Sequence, residues 1–199
     1  MKILKILNQI YRYYPKNIPF NTEKYQNSNE YLEQLRKRKI AYENLEYKYC
    51  IEDNLRTIFK DYIVFDWTDL KNYNCYEYRI LLHKNQPILD DDIKLITMLK
   101  NERLDLFIFV SILEKYYYVQ FNKTIYDLKT NKWIFKILDK YPENLKMELD
   151  NLKKFFSSEG YIELTESIIK EKVNSVETEL DETGESTVFS CIFTDVMKI

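Results

Sequence analysis

Two glycines in 199 residues, Gly160 and Gly184, constrain this chain more than any other feature. Glycine serves tight turns, close approach of backbone to ligand, and the loops that cradle phosphates. Two of them cannot supply a dinucleotide-binding fingerprint or a Walker loop, so kinase-type and Rossmann-type chemistry fall away. The side chains narrow the field further. His83 is the single histidine, which excludes a metal site built from several imidazoles and leaves this one residue for any triad or dyad. Cys50, Cys75 and Cys191 are far apart and odd in number, a pattern of reduced thiols rather than a disulfide framework or a zinc site.

The apolar fraction is 45%, enough to offset the entropy of ordering a chain of this length as one domain. Residues 3, 6, 7, 10, 11 and 14 form a helical stripe that Pro15 stops. Asn27 with Glu30 forms a capping box that opens a long helical region to about Asp61. The period then changes to that of strands. Residues 62–67 read as a strand, and so do residues 76–83, with Glu77, Arg79 and His83 on a wet face. Asp90, Asp91 and Asp92 precede a short helix and complement its dipole. Residues 106–112 are apolar on both faces, as in a central strand, and Glu114-Lys115 turns them into a partner at residues 116–121. Pro142 opens a helix that Gly160 caps. A short strand at 161–164, a helix at 165–172 and a final strand at 187–193 complete the chain. The expected fold is a single α+β domain over residues 1–199. N-terminal helices lead into a mainly antiparallel sheet, with a further helix and strand at the C-terminus.

The opening residues are interrupted by Lys5 and Asn8 too early for a signal-peptide core, and the longest apolar run is Leu106 to Val110. A cytoplasmic protein with no membrane partner is the expectation. Net charge is −2, so nothing global points to nucleic acid. The charge is unevenly spread, however. Residues 1–60 hold twelve Lys/Arg against seven Asp/Glu, and residues 160–199 hold nine acids against three lysines.

Among constellations, Asp66 followed by Glu77 and Arg79 has the outline of a Mg²⁺-dependent nuclease core, with arginine where such a site needs lysine. That is the enzymatic alternative. Tyr116-Tyr117-Tyr118 offers stacking platforms for single-stranded nucleic acid, a second alternative, although alternate tyrosines ordinarily pack inward. Arg36-Lys37-Arg38-Lys39 covers a full helical turn rather than one face, and Cys191 reads as a small buried hydrophobe. The segment singled out is residues 177–185, whose five carboxylates Glu177, Glu179, Asp181, Glu182 and Glu185 repel one another unless solvated or matched by a cationic partner. No catalytic residue, cofactor or metal ligand is assigned.

The same stretch carries a resemblance. Glu179-Leu180 and the run from Gly184 to Asp195, GESTVFSCIFTD, resemble the tail of bacterial immunity proteins encoded beside polymorphic toxins, and Ile10 to Lys16, IYRYYPK, is similar to their opening. The resemblance covers the two ends and leaves the middle unmatched. It implies a non-catalytic cytosolic α+β protein that binds and neutralises a cognate toxin. Where that toxin is a nuclease, the acidic segment would mimic phosphates against a basic site.

Overall fold

The stripe of Ile3, Ile6, Leu7 and Ile10 folds as α1 (Ile3–Ile10), which buries Ile6 and Ile10. The computed structural model describes residues 3–84 and 92–197. The helix ends before Tyr13 and Tyr14, which continue in turns and remain buried. Thr22 caps α2 (Glu23–Gln26), and Ser28 caps α3 (Asn29–Glu43) by accepting the Tyr31 N–H at 3.2 Å. The cap is thus one residue beyond the expected Asn27. The long helical region breaks at Asn44-Leu45, where α4 (Glu46–Ile58) begins.

The strands follow: β1 (Ile63–Asp66), β2 (Cys75–Leu81), β3 (Glu102–Ser111), β4 (Tyr116–Asp127) and β5 (Lys132–Leu138), with α5 (Ile93–Met98) between β2 and β3. They pair in chain order and antiparallel throughout. A 3₁₀ turn at Glu143–Leu145 then leads into α6 (Lys146–Ser158), and Gly160 follows at φ +78, a left-handed conformation suited to glycine. After it, β6 (Ile162–Glu163) pairs parallel with the start of β4. The chain ends in α7 (Glu166–Ile169) and α8 (Val188–Ile192). The fold is α+β, as the sequence predicts. With so few glycines, other turns put Lys84, Lys100, Asn101 and Asn131 at positive φ, a conformation asparagine tolerates better than most residues.

Both faces of the sheet are covered. On one face Val64, Tyr78, Ile80, Leu106, Ile108, Val110 and Tyr117 pack with Leu55 and Phe59 near the end of α4 and Leu152 and Phe156 of α6. On the other, Cys75, Phe109, Tyr116 and Tyr118 pack with α1, Tyr25 and α8.

Three expectations are corrected. Residues 187–193 are not a strand: Thr187 and Ser190 cap each other reciprocally and open α8, whose five residues are all buried. Burial on every side overrides the strand preference of Val188, Phe189 and Ile192. The second strand has no wet face, because Glu77 and Arg79 pair with each other at 3.0 Å below the sheet surface. His83 is likewise inward, its side chain 4% exposed. Asp90 and Asp91 lie outside the described residues, and Asp92 caps α5 by accepting the Leu95 N–H at 3.0 Å.

Candidate partner-binding loop

The acidic segment is built as a closed loop on a pinned neck. Val173 donates to the Ser186 carbonyl at 2.9 Å, Lys172 and Thr187 form an isolated bridge, and Val188 donates to the Glu171 carbonyl at 2.9 Å. Val176, fully buried, plugs the loop from inside, and the buried Ser186 hydroxyl donates to its carbonyl at 2.9 Å. At the tip, Glu185 donates to the Glu182 carbonyl at 2.9 Å across Thr183-Gly184. Gly184 sits at φ +87, the conformation that the third residue of a type II turn requires.

The five sequence-selected carboxylates divide into two groups. Glu177 faces the protein: its carboxylate accepts from the Phe20 N–H at 2.8 Å and from the Thr183 hydroxyl, and its carbonyl accepts from Tyr25 Oη at 2.9 Å. The Thr183 hydroxyl and, more weakly, the Phe20 N–H hold its carboxyl below the usual range against the opposing effect of partial burial. Asp181 is 3% exposed, and its backbone N–H donates to Thr178 Oγ1 at 3.1 Å. Glu179, Glu182 and Glu185 are exposed. None of the three is in an ion pair among the described residues. Between them Leu180 projects an apolar side chain that is 55% exposed, while its N–H is held by Asp195 Oδ2 at 3.0 Å. In the sequence Leu180 stands out only within the resemblance, not as a contact residue. Its signal was a lone large aliphatic inside an acidic run.

The oppositely charged ends of the chain meet here. Asn17 donates to the Ser175 carbonyl at 2.8 Å, Tyr14 Oη to the Cys191 carbonyl at 2.9 Å, and Asn74, which carries the Arg38 Nε bond at 2.7 Å, donates to Tyr14 Oη at 2.9 Å. The N-terminal segment therefore braces the loop from behind.

The other sequence constellations are placed differently. Asp66 is cross-strand from Tyr78 and Phe65 from Arg79. Side chains alternate along a strand, so Asp66 points to the face opposite Glu77 and Arg79. It pairs there with Lys48, while Arg79 lies over Trp67 and Phe107 at 4.2 and 4.4 Å. The two acids do not converge on one point. Burial, reinforced by Arg103, lowers the His83 pKa and favours the neutral ring. Tyr116, Tyr117 and Tyr118 are all buried and present no open ring face. Arg36, Arg38 and Lys39 diverge, to Glu33 at 2.6 Å, Asn74 at 2.7 Å and Glu43 at 3.8 Å. Cys191 is fully buried, and burial pushes its thiol pKa up. No group of three or more His, Cys, Asp or Glu side chains suited to a metal ion occurs among the described residues, and no helix among them is long and apolar enough to cross a membrane.

Comparison of the chain with protein-family models, with curated proteins and with solved structures finds no match to any of them.

Proposed function

We propose that this chain is a non-catalytic binding protein of the immunity type, which captures a basic protein partner and neutralises it. One observation carries the reading: Glu179, Glu182 and Glu185 stand exposed, with no ion pair among the described residues, beside the projecting Leu180 on a loop with a pinned neck. A loop held this way loses little conformational freedom on binding, so more of its contact energy appears as affinity. Exposed carboxylates raise the encounter rate with a basic surface, and a central aliphatic anchor slows dissociation. Glu177 and Asp181 support the loop from within rather than meeting the partner.

The test uses the product of the gene beside this one as the partner. The triple variant Glu179→Gln, Glu182→Gln, Glu185→Gln is expected to bind it at least tenfold more weakly, or ~1.4 kcal/mol, with most of the charge effect in the association rate. Equal affinity of wild type and triple variant at low salt would remove the acidic loop from the interface.

A further inference from the structure

The outer edge of β4 is covered in two pieces that do not meet. At its start, the Lys115 and Tyr117 carbonyls accept from Ile162 and Leu164 at 3.0 and 2.9 Å, the β6 pairing. Further on, β5 takes over, but only from Phe121, which is paired with Leu138. Among the described residues, no strand pairs with residues 118–120 on that side. Backbone groups alternate in direction along a strand. Val119 has the same parity as Tyr117 and Phe121, so its N–H and C=O point into the gap.

The gap opens on a cavity of about 340 Å³ between β4, the end of β5 and α6. Its wall has an apolar part, from Val119, Leu138 and Leu149, and a rim bearing the carboxylates Asp139, Asp150, Glu163 and Glu166. Lys153 is the one cation of that lining; its ammonium is 4.0 Å from Glu163 and largely exposed. The lining also includes Gln120, 3% exposed, whose Nε2 donates to Asn122 Oδ1 at 2.8 Å and whose Oε1 has no hydrogen-bond partner among the described residues.

We propose that this gap is a second docking site, separate from the acidic loop, that seats one arginine- or lysine-bearing residue of an extended partner segment. An unpaired peptide unit on a strand edge is matched by another peptide backbone, as in recognition by strand addition. Glu163 and Glu166 pair with Lys153 and Lys170, which leaves Asp139 and Asp150 on the rim to select a cationic side chain over a neutral or acidic one. The cavity is at the lower end of ligand-pocket sizes, in keeping with a single long side chain rather than a folded element.

The experiment is a titration of the full chain with a blocked pentapeptide carrying a central arginine between valine and threonine, followed by backbone amide chemical shifts. The same peptide with citrulline, an uncharged isostere, is the control. The arginine peptide is expected to shift the Val119 amide saturably. Binding should weaken at least tenfold with citrulline, and equally in the Asp150→Asn, Glu163→Gln double variant. Citrulline binding as tightly as arginine, or no saturable shift at Val119, would overturn the proposal. So would free spermidine competing as well as the peptide, which would make the site a simple cation trap. Should the double variant fail to fold by circular dichroism, the arginine–citrulline comparison on wild type decides alone. The triple variant of the acidic loop is expected to bind the peptide like wild type, so failure of either proposal is distinguishable from failure of the other.

Discussion

Glu177 and Leu180 are three positions apart and illustrate opposite uses of a loop residue. Glu177 holds Phe20 and Thr183, and its carboxyl is depressed below its ordinary value of 4.5. Between that value and the lower folded one, the unfolded chain binds more protons than the folded chain, so stability falls as pH drops through this window. Thermal melts of wild type below about pH 4.5 should therefore lose midpoint faster than melts of Glu177→Gln, which lacks the titration. Parallel slopes would show that the Thr183 and Phe20 bonds do not discriminate between protonation states. Leu180, more than half exposed, gives the complementary case. Leu180→Ala should change stability by no more than ~0.5 kcal/mol in denaturant titrations, while slowing nothing and speeding dissociation of the partner. The acidic run itself was legible in the sequence. Its division into supporting and exposed carboxylates was not, because that depends on where Phe20, Tyr25 and Asp195 arrive from distant parts of the chain.

Among the elements, those with a clear apolar period or run were readable and those decided by their surroundings were not. The stripe on α6 and the double-faced apolar run of β3 both fold as their periods predict. Residues 187–193 carry strand-forming side chains, yet α8 is buried all round and held open at its start by the Thr187–Ser190 box. Thr187→Ala is expected to cost ~1 kcal/mol through loss of that cap, and Phe189→Ala about 3–5 kcal/mol. Phe189 meets Phe109 at 5.2 Å and Phe193 at 5.5 Å. Urea unfolding measures both; a Thr187→Ala variant as stable as wild type would argue against the helix. β5 went unread in the sequence, its hairpin turning at Asn131, φ 51, without glycine. It is also one of the sheet's two edge strands, with Phe135 64% exposed. An open apolar edge invites pairing with other chains, and Lys132 and Lys136 on that strand are the usual counter-measure. Phe135→Thr should leave stability nearly unchanged and lower any concentration-dependent association seen by light scattering.

For the molecule as a whole, the sheet works as a wall with a packed layer on each face. One layer comes from α4 and α6, the other from the two chain ends. That second layer carries the account of function. Basic N-terminal and acidic C-terminal segments are brought together, which fixes the loop while leaving Glu179, Glu182 and Glu185 exposed and outside any ion pair among the described residues. The charge asymmetry was visible in the sequence, but not that its two halves touch, since no local pattern encodes contact between residues 17 and 175. If this loop steers a basic partner, the association rate with the neighbouring gene's product, followed by stopped flow, reports it directly. It is followed from ~0.01 to ~0.1 M ionic strength, over which the Debye length falls from ~30 to ~10 Å. The wild-type rate is expected to fall steeply with salt, and the rate of the triple glutamine variant to be lower and nearly flat. Identical salt dependence of the two proteins would contradict steering by this loop.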